Sequence, residues 1–431
     1  MDIPWARLGL VLFCLVSSGI ATRAQNVQSL TLEEAERIAL QNHPQIQAAA
    51  QLATAAGAQV KEVQAAYFPL ANGSLTGAKA ETNSRIAAGF LNSPSVFDKY
   101  ANGVSVGQLL TDFGRTHELV KSSSFHAQAQ QENVTTTRAT VLIRVNQAYF
   151  AVLKAQAVLH VGEETVKARQ LVVDQVSALA ASSLKSGLDV SFAKVDLAQA
   201  QLLLVQAQND LQSSYAQLSD ALGYADQRTF QLADIPLPAA PAADVAPLVQ
   251  EALQNRPEII GLGLDVKSAQ SYATAERDLW FPTISAVGVS GLVPARQDNL
   301  TSRYAAAGFN VNIPLFNGRL FTALRTEANA RARAQEQYLR ALQDRIVEDV
   351  RVAWFNANSA YQRLSLTQEL LAETTQAFDL AQARYGLGLS SIVELSQAQL
   401  GRTQAQIAQV SAQYDYEGQI ANLNYQLGRM K

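Results

Sequence analysis

The sequence is nearly without cysteine and poor in histidine. Its one cysteine, Cys14, lies in an apolar run close to the N-terminus, so the chain beyond that run has no thiol for a disulfide or a metal. The histidines are far apart, and there is no glycine-rich phosphate loop and no His-Glu metal motif. The histidines are His43, His117, His126 and His160. These absences argue against an enzyme, and we expect neither a cofactor nor a metal.

Two further absences limit the possible partners. The formal net charge is -3 and the lysines and arginines are dispersed, so the chain lacks the basic patch of a nucleic-acid-binding protein. Beyond the N-terminal segment, no apolar run is long enough to cross a bilayer as a helix. We therefore expect no contact with nucleic acid.

Residues 1–24 predict a secretory signal peptide. Arg7 is followed by an apolar run and then by small residues up to Ala24, which is the order typical of an export signal. An uncleaved anchor is the alternative, although the apolar run is too short to span a bilayer. We expect an exported protein.

The rest of the chain contains a duplication. Residues 39–46, Ala-Leu-Gln-Asn-His-Pro-Gln-Ile, return at 252–259 as Ala-Leu-Gln-Asn-Arg-Pro-Glu-Ile. Further echoes keep the same order, namely Tyr-Phe-Pro at 67–69 with Trp-Phe-Pro at 280–282, and Gly-Arg at 114–115 with Gly-Arg at 318–319. Landmarks repeated in order indicate two similar halves of one body.

Each half predicts short helices, then a β-hairpin, then a long helical hairpin. In 70–112 and 283–316 apolar residues alternate with polar ones, which predicts strands. An ordinary hairpin packed on a soluble core is the alternative for these strands. The predicted order is a signal peptide at 1–24, a first repeat at 25–232, a linker at 233–244 and a second repeat at 245–431. The first repeat contains a β-hairpin at 70–112 and a helical hairpin at 115–222. The second contains a β-hairpin at 283–316 and a helical hairpin at 319–428.

Two stretches predict unusually long helices. Residues 319–385 contain neither Gly nor Pro, and 115–186 contain only Gly162. A helix over 319–385 would extend roughly 100 Å, about three bilayer cores. Because no globular core needs so long a helix, we expect pairs of shorter helices, end to end, to flank each long one.

Aromatic residues stand at the bases of both predicted β-hairpins. They are Tyr67, Phe68 and Phe113 in the first half, and Trp280, Phe281 and Phe316 in the second. Aromatic residues that form a girdle at a membrane–water interface would lie at these positions. One chain offers four strands, and the smallest common membrane barrels need about eight. Three copies would leave room for a conduit, so a trimer is the smallest assembly that would form a pore.

These landmarks together resemble the TolC-type outer-membrane efflux proteins, from about Leu30 to Gly428. The resemblance implies a mixed α and β fold, in which duplicated long α-helical hairpins form a periplasmic tunnel. Four strands per chain would contribute to a 12-stranded trimeric transmembrane β-barrel. It also implies a passive exit duct of a tripartite efflux pump or type I secretion system, in the outer membrane of a Gram-negative-type cell.

The same resemblance implies the partners. They are two further copies in a homotrimer, a periplasmic adaptor (membrane fusion) protein, an inner-membrane pump and outer membrane lipid. Drugs, metals, metabolites and polypeptides all stay open as cargo, and so does the class of pump. A soluble periplasmic coiled-coil scaffold, or the adaptor itself, is the alternative function.

The resemblance also implies two sites. In the family the tips of the helical hairpins carry a small-Gly-Leu signature that meets the adaptor, and the matching residues here are Ser186, Gly187, Leu188, Leu387, Gly388 and Leu389. Plain helix capping by glycine is the alternative for these tips. The type member also has two aspartates at its periplasmic gate, where this sequence has Glu394 and then Gln397. Three Glu394 carboxylates near the axis would attract cations, whereas a solvated acid on a helix face is the alternative.

Overall fold

The computed structural model describes residues 29–79, 86–88, 91–93, 99–293 and 301–430. The predicted signal peptide at 1–24 lies outside these residues. Within the described ranges, the helices are α1 (Leu32–Asn42), α2 (Pro44–Gln64), α3 (Arg115–Ala181), α4 (Gly187–Ala221), α5 (Ala246–Asn255), α6 (Pro257–Arg277), α7 (Leu320–Gly386) and α8 (Ile392–Gln426). None of these helices is long and apolar enough to cross a membrane.

The first helices begin where side chains can satisfy their free backbone N–H groups. The Thr31 hydroxyl accepts a hydrogen bond from the Glu34 N–H at 3.2 Å, which caps α1. The His43 Nδ1 accepts from the Gln45 N–H at 3.3 Å and caps α2, and Pro44 takes the first helical position. In the second half Pro257 repeats the proline start at α6.

The long helices organise the molecule. α3 and α7 each have 67 residues, about 100 Å of helix. α3 packs against α2 and α4, and α7 packs against α6 and α8. α3 also contacts α6 and α8, so the two halves share one body. The predicted mixed fold with duplicated long helical hairpins is confirmed.

The strands of both halves form one antiparallel sheet. The strands are β1 (Leu70–Ala78), β2 (Ile86–Ala88), β3 (Leu91–Ser93), β4 (Lys99–Thr111), β5 (Thr283–Leu292) and β6 (Arg303–Asn312). The order β1-β4-β5-β6 joins the halves through the β4–β5 pair. β2 and β3 pair separately. The outer edges of β1 and β6 therefore have no neighbouring strand within the described part of the chain.

The main apolar core lies around the middle of α3, where it packs against α1 and the C-terminal end of α4. Tyr149 is fully buried there, and its hydroxyl is within hydrogen-bonding distance of the carbonyl oxygens of Leu30 at 2.9 Å and Ala233 at 2.6 Å. These contacts tie the segment before α1 and the linker after α4 to the same helix. A second apolar cluster joins α5, α7 and the end of α8 around Ile346 and Val350.

Candidate functional site

The turn between α7 and α8 is a glycine-terminated helix end. Gly388 has φ +74°, the left-handed conformation that favours glycine. The Leu389 N–H donates to the Arg384 carbonyl at 2.8 Å and the Gly388 N–H to the Tyr385 carbonyl at 3.1 Å, the pattern of a Schellman cap. Leu387 and Leu389 are exposed at this tip, at 75% and 66%.

The turn between α3 and α4 is built differently. Its left-handed residue is Ser183, with φ 55°, whereas Gly187 is the first residue of α4 and has no positive φ. Ser183 is thus the structural counterpart of Gly388, and Gly187 is the counterpart of Ile392, the first residue of α8. Leu184 and Leu188 are the exposed leucines here, at 70% and 65%.

Both tips end in a capped helix start that carries an acid. Ser186 caps α4: the Asp189 N–H donates to its hydroxyl at 3.2 Å, and the Ser186 N–H donates back to Asp189 Oδ2 at 2.9 Å. The hydrogen bonds that the Ser186 N–H and hydroxyl donate to the Asp189 carboxylate hold the pKa of Asp189 below its ordinary value. Ser391 caps α8 with one hydrogen bond, which its hydroxyl accepts from the Glu394 N–H at 3.3 Å. Asp189 is therefore the counterpart of Glu394, which the repeated Ser-x-x-acid spacing could have identified from the sequence.

Glu394 lies at the tip with its carboxylate partly exposed. Its Oε1 lies 3.2 Å from Arg384 Nε, across the turn, and the Glu394 side chain is 45% exposed. Gln397 is exposed one turn further along α8. The predicted gate residues therefore lie on one helix at the tip, and one of them has a cationic neighbour that sequence reasoning missed.

A cleft of about 850 Å³ lies between the two tips. Its apolar lining comes from both hairpins: Val176, Leu179, Leu184, Tyr385, Leu387 and Leu395. Lys185 Nζ lies 4.0 Å from the centroid of the Tyr385 ring, a cation–π contact between the hairpins. The cleft thus presents apolar surface beside the exposed tip leucines.

The predicted aromatic residues gather where the sheet meets the helices. Each is at least 46% exposed, and the rings of Phe113 and Phe281, from different halves, lie 6.0 Å apart. The full set is Tyr67, Phe68, Phe113, Trp280, Phe281 and Phe316. Trp280 also packs edge to face on Phe321 at 5.7 Å.

Two long helices carry apolar residues that no part of the described chain covers. α4 turns Ala193, Ala200 and Ala207 toward the interior and presents larger residues outward. Its exposed residues are Leu188, Phe192, Val195, Leu202 and Val205. α7 exposes a second set, made of Tyr338, Val352, Phe355, Leu366, Leu370 and Leu380. We call these sets the α4 face and the α7 face.

The described residues contain no group of three or more His, Cys, Asp or Glu that could hold a metal ion. His126 Nδ1 lies 3.0 Å from Asp265 Oδ1, but this is a two-residue contact between α3 and α6.

Known proteins share this whole layout. Residues 37–224 and 248–429 match the family described as "Outer membrane efflux protein". The chain is 24% identical over 424 residues to the outer membrane protein TolC of Vibrio cholerae serotype O1, covering 96% of this chain and 94% of that protein. It is 25% identical over 379 residues to the cation efflux system protein CusC of Escherichia coli O157:H7, covering 84% and 78%. The crystal structure of a membrane protein from Pseudomonas aeruginosa has the same fold, with a TM-score of 0.81 at 21% identity over 92% of this chain and 93% of that one.

Proposed function

The chain belongs to the outer membrane efflux protein family, and from that premise we propose that it is the passive exit duct of a tripartite efflux pump or a type I secretion system. It is an outer-membrane channel-tunnel with a large periplasmic part. Its family is a class of transport channels and not a class of enzymes. A soluble scaffold or adaptor is not favoured, because the family match covers both halves of the chain.

The working unit we propose is a homotrimer. Within the described part of the chain the outer edges of β1 and β6 are unpaired, and the two strands run antiparallel, so β6 of one copy can pair with β1 of the next. Repeating that pairing over three copies closes twelve strands into a barrel wide enough for a conduit. The α4 face and the α7 face offer the matching contact between helices, because two different surfaces that meet head to tail generate a ring.

The aromatic residues at the base of the sheet would then face outer membrane lipid. Tyr and Trp are enriched at membrane–water interfaces, where one end of the side chain is apolar and the other is hydrated. Trp280 and Tyr67 are each 47% exposed at the boundary between the helices and the sheet. If the sheet lies in the outer membrane, this boundary lies at the membrane–water interface.

The hairpin tips are the proposed docking surface for a periplasmic adaptor. The six family-matched residues are Ser186, Gly187, Leu188, Leu387, Gly388 and Leu389, and the backbone adds Ser183 and Leu184 as counterparts of Gly388 and Leu389. An adaptor that binds the splayed tips more tightly than the closed ones shifts the population toward the open state. An inner-membrane pump would supply the energy.

Glu394 and Gln397 form the proposed periplasmic gate. Three-fold symmetry would place three Glu394 carboxylates around the axis, and each brings its Arg384. The guanidinium offsets part of the negative charge, and Gln397 supplies no second acid. We therefore propose a gate that attracts cations weakly.

This proposal rests on the four-stranded sheet, whose two outer edges are unpaired among the described residues, on a body of 67-residue helices. The test is planar-bilayer conductance of the detergent-extracted protein, with the oligomer mass measured on the same sample. A trimer that gives discrete channel events supports the duct. A folded monomer that never conducts contradicts it.

A further inference from the structure

A small polar cavity lies between the two hairpins, away from the tips. Its volume is about 180 Å³, and it is bounded by α3 on one side and by α7 and α8 on the other. Arg169 on α3 and Arg402 on α8 both line it, together with Phe378, Gln399 and Thr403. We call it the α3–α8 cavity. It brings two guanidinium groups from different halves of the chain into one space.

Arg169 is buried without a good acceptor. It is 6% exposed, and its Nη1 has no hydrogen-bond partner among the described residues. Asp196 Oδ2 lies 3.7 Å from that nitrogen, which allows an ion pair but is too long for a hydrogen bond. Asp196 Oδ2 instead accepts a hydrogen bond from the Ser396 hydroxyl. Arg169 therefore has a counter-charge nearby and an N–H group left unsatisfied.

Arg402 has a similar need. Its Nε is buried and has no hydrogen-bond partner among the described residues. The guanidinium carbon lies 4.9 Å from the centroid of the Phe378 ring, so a cation–π contact holds its position. A buried donor without an acceptor costs about 1–3 kcal/mol of stability, and more when the group is charged. Two such donors at one cavity indicate a missing acceptor.

The remaining charges around the cavity do not supply that acceptor. Glu164 also lines the cavity, but its carboxylate is 57% exposed and lies 2.9 Å from Lys167 Nζ, which offsets its charge. The two arginines, set against Asp196, leave an excess positive charge. Gln399 and Thr403 also line the cavity. The Gln399 Oε1 is a buried acceptor with no hydrogen-bond partner among the described residues, but it carries no charge that could balance the two guanidinium groups.

We propose that the α3–α8 cavity binds one small tetrahedral oxyanion of the sulfate or inorganic phosphate class. An oxyanion has several oxygens on one central atom, so it can accept hydrogen bonds from two guanidinium groups on different helices. A single-atom anion such as chloride fits this arrangement less well. The volume of about 180 Å³ is well above the minimum for a single water and leaves room for an anion of five heavy atoms. The Gln399 amide and the Thr403 hydroxyl can donate to the remaining oxygens.

The bound anion would connect the two halves of the chain. Arg169 belongs to the first helical hairpin and Arg402 to the second, so the oxyanion forms a bridge between α3 and α8. Anything that binds the folded state alone also stabilises it by mass action. The anion is therefore expected to raise the thermal unfolding midpoint at constant ionic strength.

Equilibrium dialysis of the purified full chain with radiolabelled inorganic sulfate, at constant ionic strength set with sodium chloride, tests the site directly. The expected result is saturable binding of one sulfate per chain. Arg402→Gln should weaken it roughly 10- to 100-fold, which corresponds to the loss of a charged hydrogen bond. The control is Arg363→Gln, which removes an exposed arginine of α7 outside the cavity and should leave binding unchanged.

Competition identifies the source of the anion. Unlabelled phosphate should displace the sulfate, whereas chloride at the same ionic strength should not. Circular dichroism and the oligomer mass confirm that each variant is folded, and Arg402→Lys, which keeps the charge without the planar fork, should bind with intermediate affinity. Absence of saturable binding by the wild type, or equal binding by folded Arg402→Gln, would overturn the proposal and leave a cavity that holds water. Sulfate binding is measured without conductance, so its outcome does not depend on whether the protein is the proposed exit duct.

Discussion

Arg384 Nε lies 3.2 Å from Glu394 Oε1, and this contact joins the end of α7 to the start of α8. The two side chains are 57% and 45% exposed, so the pair is an exposed one. Such pairs contribute about 0.2–1 kcal/mol. The contact therefore matters less for stability than for the charge that Glu394 presents at the proposed gate.

We expect the divalent-cation sensitivity of the channel to depend on that charge. Glu394→Gln should reduce block by divalent cations, because it removes the only acid of the proposed ring. Arg384→Gln should increase it, by up to about fivefold in cation affinity, because it frees the carboxylate from its neighbour. Single-channel conductance with and without divalent cations measures both. Equal sensitivity of the wild type and Glu394→Gln would remove Glu394 from the gate.

Trimer formation should depend on the α4 face. Leu202 is 71% exposed in the single chain, and in the proposed trimer it is covered by the α7 face of the next copy. Leu202→Glu would bury a charge there without a partner, so we expect loss of the trimer with the helical content kept. Native mass in detergent measures the assembly and circular dichroism the fold.

The matched control for this variant is Gln208→Glu, which adds the same charge at an exposed position of α4 outside the apolar face. It should leave the trimer intact. A trimeric Leu202→Glu variant would show that the α4 face is not the contact surface.

The architecture could be predicted because its signals are local or repeated. The long helices follow from stretches almost without Gly and Pro, and the strands follow from alternation of apolar and polar residues. The turn at the first tip could not be located in this way. A Gly-Leu pair marks both tips, but the left-handed residue of the first is Ser183, four positions before Gly187. A serine in that conformation is uncommon and leaves no sequence signal.

Contacts between distant helices also escaped sequence reasoning. Arg169 and Arg402 meet at one cavity only because α3 and α8 pack with a particular register. Neither residue belongs to a motif. In contrast, the acid at the first tip, Asp189, follows Ser186 with the same spacing as Glu394 follows Ser391, so the duplication itself carried that information.

The two tip glycines offer a way to separate docking from backbone strain. Gly388 has φ +74°, so Gly388→Ala should cost about 1–2 kcal/mol at that turn. Gly187 lies in the first turn of α4, where alanine fits, and an added Cβ meets no atom within 4 Å. Gly187→Ala should therefore leave the thermal unfolding midpoint unchanged or slightly raised.

Binding of the cognate adaptor to each of these variants completes the comparison. We expect Gly187→Ala to weaken adaptor binding although its turn keeps its backbone, because the added methyl group alters the docking surface. Normal adaptor binding by Gly187→Ala would show that Gly187 has only a structural role at the start of α4. Weaker binding by Gly388→Ala is expected on either account and does not separate the two roles.

Glu417 should make the stability of the protein depend on pH. It is 2% exposed on α8, and neither carboxylate oxygen has a hydrogen-bond partner among the described residues. Burial, with the charge of Asp234 as a second cause, raises the pKa of Glu417 to about 7. Burial raises the pKa of Tyr149 and of Tyr414 to about 12, with the charges of Asp234 and Glu417 as further causes.

The sign of the effect follows from proton binding. Between pH 4.5 and about 7 the folded chain holds a proton on Glu417 that the unfolded chain has lost, so stability falls as the pH rises through this window. Glu417→Gln cannot ionise and should remove that fall, which leaves the variant more stable than the wild type at pH 8, by on the order of 3 kcal/mol per chain at most. At pH 4.5 and below the two should be nearly equal. Thermal unfolding midpoints from pH 4.5 to 8 measure the difference, with the exposed Glu369→Gln as the control. Parallel pH profiles for the wild type and Glu417→Gln would show that Glu417 is ionised in the folded protein, in spite of its burial.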